Sequence, residues 1–205
     1  MDNITLSNMG KTEWRAVRNK YVNVRVGMPN KKFDLAGRTS NLKEVKQVLD
    51  DVGLKFWLTN GTALAAHRDH DWIPWDDDVD LDVYMEDFRP LCEKLRTRFM
   101  KRGYIARLTK GARKCKMSVF KHGEKTAFRG LFLDPSYKKN KYRLRTRFKY
   151  PKRFYKTRGT LEFKGMVFNV PSPIEDFLVY VYGKKWRVPM RSDDQSKYST
   201  REILR

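Results

Sequence analysis

The sequence is short of the residues that staple small folds or seat soft metals. It has two cysteines, Cys92 and Cys115, and three histidines among 205 residues. Two cysteines exclude a disulfide framework and a Cys-rich zinc site, and each reads as a small apolar filler. His67, His70 and His122 are scattered and too few for a zinc centre. No uncharged stretch approaches the roughly 18 residues of a membrane span, and residues 1–30 carry no apolar run of the signal-peptide kind. The expectation is a soluble, cytoplasmic protein, or a Golgi or secretory one if an anchor lies upstream. Acid is scarce too: 24 Asp and Glu face 45 Lys and Arg, a net charge of +21. That surplus predicts a polyanionic or phosphorylated partner. Disorder is excluded, because 40% of the residues are apolar and 13% aromatic. A chain of this length buries roughly 70% of its unfolded surface, so a core alone can hold it.

What is present divides the chain into a basic arm over residues 1–38, a domain over 39–190 and a tail over 191–205. Asn41 and Glu44 have capping-box spacing, and Leu42, Val45, Val48, Leu49 and Val52 recur at helical intervals up to Gly53. Leu54 to Thr59 reads as a short buried strand that ends at Asn60-Gly61, and Thr62 to His67 as a small-residue helix. Asp87 to Arg102 repeats the helical period with Phe88, Leu91, Cys92, Leu95 and Phe99, and Gly103 stops it. Strands are predicted over 104–108, 114–120, 129–134 and 161–170, and a last helix opens after Ser172-Pro173 and closes at Gly183. Helices interspersed with a run of strands predict an α+β domain.

The most informative stretch is Asp71 to Tyr84, DWIPWDDDVDLDVY. Six Asp fall between Asp71 and Asp82 in a chain otherwise strongly basic. Val79, Leu81 and Val83 alternate with Asp78, Asp80 and Asp82, the period of a strand. Residues two apart on a strand share a face about 6.6 Å apart, so Asp78 and Asp80 can aim at one point. Crowded carboxylates cost free energy unless a cation neutralises them. Oxygen-only ligands favour Mg²⁺ or Mn²⁺, while a solvated acidic loop or ion pairs with the many Arg and Lys would place the same residues here. Two features favour the cation: the apolar face mounts the acids rigidly, and the turn Asn60-Gly61-Thr62 offers backbone N–H groups to phosphate.

The run GTALAAHRDHDWIPWDDDVDLDVY resembles the signature of the LicD, fukutin and fukutin-related group, a branch of the nucleotidyltransferase-fold superfamily. Val170-Pro171, Glu175, Leu178, Tyr182-Gly183, Trp186 and Pro189 resemble that family's closing pattern, so the likeness covers residues 40–190. The resemblance implies a nucleotidyltransferase-like fold, a mixed β-sheet flanked by helices. It implies transfer of a phospho-alcohol, phosphocholine or ribitol phosphate, from a CDP-linked donor to a glycan hydroxyl. Asp78 and Asp80 match the metal-binding pair, and Asp76 matches the acid before it. Gly61 and Thr62 match a turn that faces the donor's phosphates, and Arg68 matches an Arg that contacts phosphate or pairs with the acidic strand. The resemblance also implies a third carboxylate on a later strand, for which Asp134 is the candidate, and either Asp76 or Asp134 would complete the metal shell or take the acceptor's proton as general base.

Between Asp134 and Glu162 no acid occurs, while eleven Lys and Arg lie between Lys138 and Arg158. Arg143, Arg145, Arg147 and Lys149 alternate with Leu144, Thr146 and Phe148 like one basic face of an edge strand. A solvated insertion, a wall that attracts phosphate or an acidic glycan acceptor, and a nucleic-acid surface are the three readings. The competing functions are therefore a nucleotidyltransferase acting on RNA or a small acceptor, and a non-catalytic polyanion-binding domain. Crowded Asp76, Asp78 and Asp80 speak for the enzyme. The sequons at Asn3 and Asn60 do not decide compartment, and a glycan at Asn60 would obstruct the turn.

Overall fold

Asp34 starts the first helix: its side chain accepts from the Gly37 N–H at 2.8 Å, satisfying one of the free donors of the opening turn. The computed structural model describes residues 34–76, 78–111, 114–121, 124–133, 142–145, 148–157, 159–191 and 199–201. Helix α1 spans Leu35–Asp50 and buries Leu42, Val45, Val48 and Leu49. It therefore begins well before Asn41, and Asn41 and Glu44 form no capping box. Asn41 donates to the Lys121 carbonyl at 2.9 Å, and Glu44 accepts from Lys121 at 2.6 Å and from the Tyr104 hydroxyl at 3.0 Å. These are tertiary ties, which spacing alone cannot separate from a local cap.

Strand β1 (Phe56–Leu58) leads into α2 (Asn60–Leu64), which continues as a π turn over Ala65–Asp69. Strand β2 (Val79–Tyr84) is followed by α3 (Met85–Lys101), then β3 (Ile105–Gly111), β4 (Lys114–Lys121) and β5 (Glu124–Leu133). The sheet order is β1-β2-β5-β4-β3. Strands β2 and β5 run parallel at its centre, with Val79 opposite Thr126 and Tyr84 opposite Leu131, and the other pairs are antiparallel. A parallel pair requires a crossover, and α3 with β3 and β4 supplies it.

β5 starts five residues before the predicted strand because its first residue, Glu124, is a buried acid. Glu124 pairs with Arg38 of α1 at 2.7 Å, their side chains 3% and 1% exposed. Removing either partner would strand a buried charge, at about 3 kcal/mol or more. The thiol of Cys115 is pushed up to about 11 by burial and by nearby Cys92, and both cysteines are free and buried, as fillers should be.

Two predicted strands are hairpins. The stretch 161–170 folds as β8 (Gly159–Phe163) and β9 (Met166–Val170), turning at Lys164 (φ 53°) and Gly165 (φ 72°). Two successive positive φ values are the two-residue turn that suits strand twist, here written Lys-Gly rather than the more recognisable Asn-Gly. The basic face expected over 143–149 is likewise split into β6 (Tyr142–Arg145) and β7 (Phe148–Pro151), joined to the end of β5 through Phe132 and Leu144. A short α4 (Arg153–Lys156) and α5 (Ile174–Tyr182) complete the described elements, with Phe154, Phe177, Tyr150 and Tyr180 clustered between them. No described helix is long and apolar enough to cross a membrane.

Candidate functional site

β2 carries Asp80 and Asp82, with Asp78 just before it, and its apolar residues Val79, Leu81 and Val83 are buried at 1% exposure or less. Burying three such side chains is worth about 1.5–3 kcal/mol each, so the strand is a rigid mount. The junction between β1 and α2 then fixes Asp80 from three directions. Its carbonyl accepts from the Thr59 N–H at 3.2 Å, its N–H donates to the Thr62 hydroxyl at 2.9 Å, and its carboxylate accepts from the Asn60 side-chain amide at 3.2 Å. Thr62, 1% exposed, thus braces the acidic strand.

Asn60 itself is in the left-handed region at φ 45° and 6% exposed. Its amide is committed at both ends, because its oxygen accepts from the Tyr150 hydroxyl at 3.3 Å. A glycan has no room on this nitrogen. At Gly61 an added Cβ would lie 2.2 Å from an Asp76 carboxylate oxygen, so the Asp76 carboxylate rests directly over this glycine and any side chain there would push it aside. Asp76 and Asp80 therefore bracket Asn60-Gly61. Asp78 faces a different neighbour: its carboxylate accepts from the Lys125 ammonium of β5, and both side chains are largely buried.

On β5 the register places Ala127 opposite Asp80, and Lys125 precedes the Thr126 that pairs with Val79. The positions beside the two acids thus hold a lysine and an alanine. Asp134, the expected third carboxylate, lies outside the described residues, as do Arg147 and Arg158 of the basic segment and His122. Among the described residues no three His, Cys, Asp or Glu side chains gather into a metal-holding group. Asp82, next on the same face, is fully buried and accepts from the Tyr155 hydroxyl at 2.9 Å.

Arg68 does not pair with the acidic strand. It grips Asp69 through two hydrogen bonds of 2.8 and 2.7 Å and donates to the Trp186 carbonyl at 3.2 Å, tying the π turn to the closing motif. Beside it, Arg187 binds Glu175 at 2.7 Å, which holds that carboxyl below the usual carboxylate range, and stacks 4.2 Å over the Trp186 ring.

Sequence reasoning missed Tyr150 and Arg201. Arg201 donates to the Tyr150 hydroxyl at 3.0 Å and lies 4.0 Å over the Phe148 ring. The stretch expected as a tail therefore returns to the site over Ser199–Arg201. No local pattern announces a contact between residues 60, 150 and 201.

Residues 53–173 match the family model described as LicD/FKTN/FKRP, nucleotidyltransferase domain. The chain belongs to this family. Among curated family members, the human "Ribitol-5-phosphate transferase FKTN" is 29% identical over 164 residues, 75% of this chain and 34% of that protein. The mouse "Ribitol 5-phosphate transferase FKRP" is 51% identical over 49 residues, 24% of this chain and 10% of that protein. The chain thus spans about a third or less of these relatives' length. Among solved structures, the antibiotic-resistance factor ANT(2'')-Ia superposes with a TM-score of 0.47 at 13% identity, over 67% of this chain and 66% of its own.

Proposed function

We propose that this family domain transfers a phospho-alcohol, of the ribitol phosphate or phosphocholine type, from a CDP-linked donor to a glycan hydroxyl, with Mg²⁺ or Mn²⁺ as cofactor. The observation that carries the reading is Asp80 of β2, fixed by Thr59, Asn60 and Thr62, with Asp78 two residues earlier, just before the strand.

The residues suit a hard divalent ion. Their donors are carboxylate oxygens, and one already faces a cation, the Lys125 ammonium. Asp78 and Asp80 would hold the ion, with Asp76 or Asp134 as further ligand. When bound, it neutralises charge on the transferring phosphoryl group. The chain's own part is positioning. Gly61 and Asp76 shape the floor where the donor's phosphates would rest, and Thr62 keeps Asp80 from moving as charge develops. A carboxylate not engaged by the ion, Asp76 or Asp134, would take the acceptor's proton. Arg68 bonds Asp69 and Trp186, so it orders the wall on that side.

The readings as an RNA-directed nucleotidyltransferase or a polyanion-binding module drew on the basic segment. Arg143 and Lys149 of that segment are buried, 7% and 8% exposed, and unsuited to a phosphate-tracking surface. The family relatives are named for ribitol 5-phosphate transfer, which favours CDP-ribitol among the donors. The deciding assay is Mg²⁺-dependent CMP release from CDP-ribitol, CDP-choline and CDP-glycerol with a set of sugar acceptors. Release that needs both cation and Asp80 is expected. No release from any donor, or equal release by Asp80→Asn, overturns the reading.

A further inference from the structure

A hydrogen-bonded chain runs from the last described residue to the acid pair. The Arg201 guanidinium donates to the Tyr150 phenol oxygen at 3.0 Å, the phenol donates to the Asn60 amide oxygen at 3.3 Å, and the Asn60 nitrogen donates to Asp80 at 3.2 Å. We propose that Arg201 is a positioning residue for Asp80, acting through Tyr150 and Asn60, and that Ser199–Arg201 is thereby part of the acidic site.

Each bond in the chain sets the direction of the next. A guanidinium can only donate, so the phenol oxygen beside it accepts and its proton is sent on to Asn60. That hydrogen bond makes the near end of the amide its oxygen, which leaves the NH₂ facing Asp80. The opposite amide orientation would set a carbonyl oxygen against a carboxylate. A positive charge at one end and a negative one at the other polarise the bonds between them the same way. Both middle groups sit in a low-dielectric setting: Asn60 is 6% exposed and Tyr150 fully buried.

The segment that brings Arg201 is itself fixed. The Thr200 N–H donates to the Val181 carbonyl at 3.0 Å, and its hydroxyl to the Tyr180 carbonyl at 2.9 Å, at the end of α5. Gly183, at φ 78°, lies close beneath Thr200, where an added Cβ would approach the Thr200 methyl to 3.3 Å. Tyr180 in turn donates to the Lys149 carbonyl at 2.7 Å, so helix, hairpin and segment form one frame around the chain.

The inference rests on the proposed function only for its consequence, not for its test. The primary readout is the side-chain amide signal of Asn60 by nuclear magnetic resonance, assigned against Asn60→Asp, with no metal or donor present. Arg201→Ala and Tyr150→Phe should each move that signal and speed its hydrogen exchange about fivefold. Arg201→Lys should restore part of the effect, and Tyr150→Phe should add nothing to Arg201→Ala. Manganese affinity, followed by electron paramagnetic resonance, should fall about tenfold in the same variants. An Asn60 signal unchanged in Arg201→Ala, or full additivity of the two changes, overturns the inference. Should Arg201→Ala fail to fold, Tyr150→Phe removes a single oxygen from the same chain, and an unmoved Asn60 signal in that variant overturns the inference equally. A wild-type protein that neither binds manganese nor releases CMP overturns the functional reading instead, and the Asn60 signal still decides this one.

Discussion

The acidic strand β2 and the basic hairpin β6–β7 gather charge of opposite sign, and both turn it toward partners, but the partners differ in kind. Arg143 of the hairpin meets a full carboxylate, Glu86, through bonds of 2.8 and 3.2 Å, and its guanidinium lies 3.6 Å from the Tyr84 ring centre. That pair neutralises itself. On the acidic side, Asp80 accepts from the Asn60 amide and Asp82 from the Tyr155 phenol, while Asp78, just before the strand, pairs with the Lys125 ammonium. Arg143 of the hairpin is spent on structure, while on the strand the backbone and side chain of Asp80 are held in a fixed place. Arg143 and Lys149 of the basic hairpin are buried, whereas the acids lie where the proposed function puts a cation.

The comparison breaks first at Asp80. Asp80→Asn keeps the shape and the bond to Asn60 but removes the charge, and Asp78→Asn does the same beside Lys125. Each should lower turnover by about a hundred- to a thousandfold, the scale of losing one preorganised electrostatic group. Thermal unfolding of Asp80→Asn should stay near wild type, while Asp78→Asn should lose some stability by leaving Lys125 without its carboxylate. Near-normal turnover in either would show that the charge does nothing. The hairpin should answer in the opposite way. Arg143→Ala removes the packing on Tyr84 and the bond to Glu86, at about 2 kcal/mol of stability by urea unfolding, with turnover per folded molecule largely kept. A lost activity in a well-folded Arg143→Ala would move the hairpin into the site. Between the two lies Lys125→Met, which takes away a full positive charge set against Asp78. Manganese should then bind about tenfold more tightly, within the range that groups around a metal site exert. Weaker binding would make Lys125 a support for the site instead of a competitor.

How much of this was legible in sequence follows the same division. Period-two alternation over Val79–Tyr84 put the acids on one face, and the helical recurrence through Phe88, Cys92, Leu95 and Phe99 found α3, because one buried face leaves a simple periodic trace. Family likeness over the central motif found the fold and the Gly61 turn, over which the Asp76 carboxylate rests. Pairs that cross the chain leave no such trace. Glu124 looked like loop because its partner Arg38 is 86 residues away, and Asn41 and Glu44 looked like a cap while serving Lys121 and Tyr104. The Lys164-Gly165 turn lacked the usual Asn, so two strands read as one. Arg143 read only as part of a basic face, solvated or meeting a phosphate, acidic glycan or nucleic acid, because a guanidinium on an aromatic face reads in sequence like any other charge. The Asn60–Tyr150–Arg201 chain needed three dimensions outright.

The finest test of the contrast is pH, applied to the closed pair. Burial alone would raise the Glu86 carboxyl, but the Arg143 hydrogen bond and the charges of Arg143 and Lys152 outweigh it and hold the group below its ordinary 4.5. A carboxyl held low in the folded state adds stability that is fully present above the ordinary value and lost as pH falls through the lowered one. Tyr84, the aromatic face beneath Arg143, is pushed upward by burial and stays neutral over this range. Half of the Glu86 side chain is exposed, 48%, so solvent screens the pair and its worth is below about 1 kcal/mol. Urea unfolding of wild type and Glu86→Gln should therefore differ by a constant amount from pH 7 down to about pH 5, and converge below the ordinary carboxyl value. Curves that show no such convergence would mean that Arg143 does not hold the Glu86 carboxyl below its ordinary value.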